Sequence, residues 1–465
     1  MVFYNDTLKT ITCNLETKIV DFKQCLKQWQ HRKLTLMGKI TVVKTFAFPK
    51  LVYPLTVLKN ISKEKSKEIT NLMFKFIWDD KPDKIKRNVL SQDYINGGLK
   101  MLDLNKFTIS LKASWIKRIL DTNNKGQWKE IYLNQLKNYG KDLIFNCEIN
   151  KNDISRIFSN NSFLSNILSA WCDIKQMKTR NVDNSNINEE IIWNNSKLRQ
   201  ANKTFFYQSW FDRGIRFFKD IFNNETKKFY SFIELIDTYA IPASDFLKYM
   251  SLLSSIPDEI KIALRSFNDR LQRIVNNDNN NNSLLNKMLK TKETNKFLYK
   301  LLTKNDLQNN ITSKEKWSAY FQNDNLPWDI IYNNIYISTI DIKLRNFQYK
   351  YLFRIIPTNK RLFKQSIANS NLCDFCSMCI ESTEHLFWEC NHVQVFWNNL
   401  NHFLTNAHIR IQSNFQIVSF GFCQQSEEDK LKNYIIFYAK YFIFLSKCHK
   451  TIPKCEYFKH YLSKE

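Results

Sequence analysis

Turn-forming residues are scarce in this chain: 7 Gly and 8 Pro serve 465 residues, against average usage of about 7% and 5%. Gly provides the positive φ and Pro the pre-set φ that tight reversals need, so a many-stranded sheet would lack its corners. The expected fold class is therefore mainly α, in several helical units, since single cores rarely outgrow roughly 100 to 200 residues. Hydrophobic residues make up 43% and aromatic residues 14% of the chain, far from the low-hydrophobicity signature of disorder.

Hydrophobic spacing sets the expected segments. Leu15, Ile19, Phe22, Leu26 and Trp29 line one face of a helix. Gly38 marks its end, a second helix runs from Lys39 to Pro49, and a third carries Ile69, Leu72, Met73, Phe76 and Ile77, so residues 1–78 are expected as a helical bundle. Charged sequence from Asp79 to Arg87 and the pair Gly97-Gly98 open a basic helical connector at 79–176. A polar linker is expected at 177–204, a helical unit at 205–275, an Asn-rich surface loop at 276–283 and a C-terminal helical domain at 284–465. That last segment should contain helices at Val393–Leu404 and Glu427–Lys447.

The longest apolar run, Tyr434 to Leu445, is interrupted by Lys440 and is shorter than the roughly 20 residues of a membrane span. Met1 to Thr10 has no signal-peptide pattern. An intracellular protein, cytoplasmic or nuclear and without a membrane partner, is expected.

Seven of the eleven Cys show no framework spacing, but Cys373-Asp-Phe-Cys376 is followed by His385 and Cys390. Two thiolates two residues apart grip a metal from one turn, and a His and a Cys from the next element close a tetrahedron. Such a set suits one structural zinc, because protein ligands fill every position and leave none for water. Ordinary buried thiols and a hydrogen-bonded imidazole are the alternative, and Cys379 and His392 are close enough in sequence to replace a ligand.

The formal charge of +25 points to a polyanionic partner, RNA or an RNA/DNA hybrid, although A+T-rich coding sequence also yields a Lys-, Asn-, Ile- and Phe-rich chain. Lys343, Arg345, Lys350, Arg354, Lys360 and Arg361 follow one another without an acid, interleaved with Phe347, Tyr349, Tyr351 and Phe353. Cations that neutralise phosphates beside rings that accept bases suit single strands; the other reading, favoured for Phe347, Tyr351 and Phe353, makes the rings helix core with only the cations outside. Lys84, Lys86 and Arg87, with Lys39 and Lys44, form a second basic set, either phosphate-binding or a solvated face.

Glu384-His385-Leu386-Phe387-Trp388-Glu389-Cys390 with Phe396-Trp397, preceded by Trp328 to Tyr332, Arg345 to Lys350 and Arg354 to Asn359, resembles the zinc-binding C-terminal domain of LINE-type (non-LTR) reverse transcriptases. Trp29, Leu34 to Ile40, Lys44, Leu51 to Pro54, Phe74 to Trp78 and Gly97-Gly98-Leu99 are similar to the thumb and post-thumb of that family, and Trp193-Asn194, Trp210 and Gly214-Ile215 to its connector. The resemblance implies a thumb-like bundle, a basic region tracking the template–product duplex, and the zinc ligands Cys373, Cys376, His385 and Cys390. It also implies that the endonuclease and the catalytic palm would precede residue 1. Asp79-Asp80 is not their equivalent, since it ends a helix without a third carboxylate at hand. The expectation is a nucleic-acid-binding, non-polymerising C-terminal portion, acting with RNA and with a full-length retroelement polymerase. The alternative is a zinc-stabilised protein-interaction module presenting Leu386, Phe387 and Trp388.

Overall fold

The computed structural model describes residues 7–58, 60–179, 187–266, 284–304, 311–411, 414–424 and 426–462. It is mainly α as expected, 66% helix and 3% strand. The Asn-rich tract 276–282 lies outside the described residues. The chain divides into two compact units, the first formed by 1–17, 51–66 and 104–305 and the second by 18–50, 67–103 and 306–465.

In the first unit, helix Ser162–Thr179 packs against Leu104–Ala113, Thr294–Lys304 and Lys151–Ile157. Its core includes Trp171, Trp193 and Trp210. A buried indole needs a partner for its N–H, and each finds one: Trp171 donates to the Phe145 carbonyl at 2.6 Å, Trp193 to that of Ile215 at 2.7 Å, and Trp210 to the Asp245 carboxylate at 2.9 Å. The stretch expected as a polar linker contributes Ile191, Ile192, Trp193 and Leu198 to this core. Two short hairpins, Arg199–Gln200 with Lys203–Thr204 and Phe222–Asn223 with Lys228–Phe229, are the strands among the described residues.

Lys112 of this unit is 1% exposed and donates to the carbonyls of Thr56 and Leu58, ending helix Pro49–Val57 with a cation. Burial pushes its pKa down to about 7. Between about pH 7 and 10.5 the unfolded chain therefore binds more protons at this site than the folded one. Stability must rise with pH across that window. Urea unfolding of Lys112→Met is expected to show a flatter profile there than the wild-type chain; an unchanged slope would refute the assignment.

In the second unit, helix Ile342–Leu352 packs against Leu36–Val42, Trp328–Ile337 and Glu427–Cys448. Asp341 caps it, accepting the Lys343 and Leu344 N–H groups at 2.8 and 3.2 Å. Glu427–Cys448 starts with a capping box, Ser426 with Asp429. The apolar run Tyr434 to Leu445 lies within this helix, with Ile435, Ile436, Phe437, Ala439 and Ile443 buried.

Gly97-Gly98 forms a turn that no larger residue would fit: a Cβ on Gly98 would lie 1.9 Å from the Gln92 carbonyl oxygen. The Gly97 carbonyl in turn accepts the buried Tyr349 hydroxyl at 3.0 Å.

The second helix departs from expectation at Pro49. Leu36–Val42 continues as a π-helical turn, Val43–Ala47, and Pro49 begins the new helix Pro49–Val57, bent by 49° from its predecessor. Proline fits the first helical position, where the missing N–H is not needed. Among the described residues no single helix is long and apolar enough to cross a membrane; by composition only this bent pair reaches that level.

Candidate metal centre

Three short elements bring the four expected ligands together. Leu372 and Ile380 form an antiparallel bridge, and between them the Cys373 N–H donates to the Cys379 carbonyl at 2.8 Å while the Ser377 N–H returns to the Cys373 carbonyl at 2.9 Å. This knuckle presents Cys373 and Cys376. A π-helical turn, His385–Glu389, follows, closed by the Cys390 N–H on the His385 carbonyl at 3.0 Å. Residues five apart in a regular α-helix point about 140° from each other; the wider π-turn brings Cys390 round towards His385. Cys390 then stands at the N-terminus of helix Asn391–Asn406.

The Cys373, Cys376 and Cys390 sulfurs and a His385 ring nitrogen all lie within 4.8 Å of one another, with Cys376 Sγ 3.4 Å from His385 Nε2. A tetrahedral ion with zinc–sulfur bonds of about 2.3 Å separates its sulfurs by about 3.8 Å, so a donor set gathered within 4.8 Å is of the right size to close on one zinc ion. Cys373, His385 and Cys390 are buried and Cys376 is half-buried. The Cys373–Cys390 hydrogen bond, helped by the backbone N–H groups of His392 and Val393, lowers the Cys390 pKa, while the same hydrogen bond and burial raise that of Cys373, so Cys390 is the thiol of this pair that ionises first. Cys379 is exposed and His392 half-buried, and both stand outside the set.

A buried acid holds the knuckle in place. Glu381 is fully buried; it accepts the Asn359 N–H at 2.8 Å and the Asp374 N–H at 3.3 Å. Lys447, near the end of helix Glu427–Cys448, reaches Glu381 and Asp374 at 3.0 Å each and the Asn359 side-chain oxygen at 2.8 Å. Burial alone would lower the Lys447 pKa; the Glu381 and Asp374 carboxylates outweigh it and hold the pKa above the ordinary lysine value. On the other side of the site the Trp397 indole donates to the Phe387 carbonyl at 2.9 Å.

Residues 311–397 match the family model for zinc-binding in reverse transcriptase. The match contains all four ligands, and together with their geometry it identifies a zinc-binding, reverse-transcriptase-related segment that holds one zinc ion. With four protein ligands the ion is structural. Lys447 lies beyond the matched residues, and no spacing rule in the sequence connects it to the knuckle.

The expected nucleic-acid residues divide into two groups. Arg345 donates to the carbonyls of Thr339 and Tyr336 at 2.6 and 2.8 Å, and so satisfies the end of helix Trp328–Ile337. Arg354 ion-pairs with Glu384 and lies 4.5 Å from the Trp317 ring centroid. Arg87 pairs with Asp83 at 2.6 Å and covers the Phe74 ring while its own side chain stays 41% exposed. Lys39 is ion-paired with Asp79. Phe347, Tyr349, Tyr351 and Phe353 are buried, so these rings are core and not stacking platforms.

The second group remains solvent-accessible: Lys44, Lys84, Lys86, Lys343 and Lys360 are exposed, and Lys350 and Arg361 half-buried. Within it, burial lowers the Lys84 pKa, as does repulsion from Arg361 and Lys81. Burial likewise lowers that of Lys350, with repulsion from Lys84 and Lys39. Lys44 is lowered by burial and by Lys100. Cations distant in sequence thus share one field. Leu386 and Phe387 are fully buried and Trp388 half-buried, which removes the apolar face that the protein-interaction reading required.

Proposed function

We propose that this chain is the nucleic-acid-binding C-terminal portion of a LINE-type reverse transcriptase, braced by a structural zinc and not itself polymerising. The observation that carries this reading is the gathering of cations from three separate stretches of one compact unit: Lys84 stands near Arg361 and Lys81, and Lys350 near Lys84 and Lys39, with Asp79 as the acid among them. Such a concentration of like charge opposes folding and association alike unless a polyanion neutralises it, and the zinc-binding segment supports a reverse-transcriptase setting. Its partner in this reading is RNA or an RNA/DNA hybrid, and it acts inside the cell alongside a full-length retroelement polymerase. Phosphate contacts would give affinity with little base preference.

The zinc-loaded chain is expected to bind a single-stranded RNA oligonucleotide with an affinity that falls by about two orders of magnitude between 50 and 200 mM salt, as for about five phosphate contacts at a slope of about −0.7 each. Fluorescence anisotropy across that range tests it. Absent binding, or salt-independent binding, would count against the reading.

A further inference from the structure

One acid stands among these cations, and the backbone goes out of its way to place it. Helix Lys63–Trp78 ends in a Schellman-type turn, the Asp80 N–H donating to the Lys75 carbonyl at 2.9 Å. Glycine is the usual occupant of such a left-handed position, yet here Asp79 and Asp80 occupy it in succession, at φ 53° and 57°. The turn delivers the Asp79 carboxylate to the Lys39 ammonium, a pair whose side chains are 62% and 8% exposed respectively. A buried ammonium needs a counter-ion, and Asp79 supplies it from the solvent side.

Lys39 belongs to Leu36–Val42, which packs on the Lys350 helix and donates the Leu36 N–H to the Asn346 side chain at 3.1 Å. The same Asp79 carboxylate attracts Lys84 and Lys350 but ion-pairs with Lys39. That leaves Lys84 and Lys350 without a carboxylate at ion-pair distance among the described residues. Arg361 commits one N–H to the Arg354 carbonyl at 2.9 Å, and its remaining donors are available.

We propose that Lys39, Lys84, Lys350 and Arg361 form one phosphate-binding site whose resident counter-ion is Asp79, displaced when a phosphate docks. The phosphate is a nucleic-acid phosphodiester, an identity that rests on the functional reading above. A phosphodiester carries the same single negative charge as Asp79 and brings oxygens for several cations at once. The exposed acid is free to swing out, whereas the buried Lys39 stays in place. Asp79 therefore sets the affinity of the site by competing for it.

The test uses the full zinc-loaded chain with a single-stranded RNA oligonucleotide and, separately, inorganic phosphate. Asp79→Asn keeps a side chain that tolerates left-handed backbone and removes only the charge. Asp80→Asn removes the same charge from the adjacent carboxylate, which accepts the Gln30 amide at 3.1 Å. Asp79→Asn is expected to bind RNA on the order of five- to tenfold more tightly at low salt, with Asp80→Asn within about twofold of wild type, while Lys350→Met reduces the salt slope by about 0.7. Inorganic phosphate is expected to raise the melting temperature of Asp79→Asn more than that of wild type or Asp80→Asn.

Equal tightening by both Asn variants, or none in a folded Asp79→Asn, overturns the counter-ion assignment and leaves the nucleic-acid reading standing. RNA binding absent from every variant, with the phosphate response retained in Asp79→Asn, overturns that reading and leaves the site. Loss of both responses overturns both. If Asp79→Asn unfolds, an unchanged salt slope in both Lys84→Met and Lys350→Met overturns the proposal.

Discussion

Cys390→Ser is expected to reduce bound zinc from one ion per chain to none and to unfold the knuckle with the start of helix Asn391–Asn406. Cys390 is fully buried and belongs both to the metal site and to the helix N-terminus, so its loss removes a ligand and an anchor together. Besides the Glu381–Lys447 network, the knuckle's order rests on one isolated bridge and a few turn hydrogen bonds, so the metal is expected to contribute most of what offsets the conformational entropy of fixing it. Zinc binding in comparable short segments contributes on the order of 10 to 16 kcal/mol at neutral pH. Atomic absorption gives the stoichiometry, and amide exchange across 371–397 reads the unfolding. Chelation of the wild-type chain is expected to reproduce the variant. Full zinc content in Cys390→Ser would mean that Cys379 or His392 had taken the vacant position, contrary to their placement outside the set.

Lys447→Met is expected to destabilise the second unit by about 3 to 5 kcal/mol, the usual result of removing one partner from a buried ion pair. Glu381 is 0% exposed and the Lys447 side chain 8%, so solvent screens the pair little. Removing the ammonium leaves Glu381 charged, buried and held only by backbone N–H groups. Since one of these is the Asp374 N–H, between Cys373 and Cys376, zinc affinity should fall along with the urea midpoint. The double variant Lys447→Met/Glu381→Gln is expected to recover part of the loss, because the stranded charge is gone. A Lys447→Met chain as stable as wild type would show that the network contributes packing alone.

The zinc ligands were legible at once because the chemistry constrains them locally: two sulfurs must share a turn, and the next pair must follow on an adjoining element. Helices such as Asn391–Asn406 and Glu427–Cys448 were legible for a related reason, since apolar spacing records which face is buried. Pro49 misled because a proline that ends one helix is equally suited to begin another. Cations were the least legible. Arg345 and Arg354 look in sequence like Lys350 and Lys360, yet the fold turns the first two inward to Tyr336, Thr339 and Glu384.

Local pattern alone therefore determined the helical class of this protein and the four atoms that hold its metal, because periodicity and ligand spacing act over a few residues. Tertiary structure alone decided that Lys447 neutralises Glu381, that Lys440 is buried against the Tyr351 ring, and that Asp79 meets Lys39. Whether a charged side chain reaches solvent, a carbonyl or an opposite charge depends on which helices pack together, and long-range packing leaves no mark in the spacing of neighbouring residues.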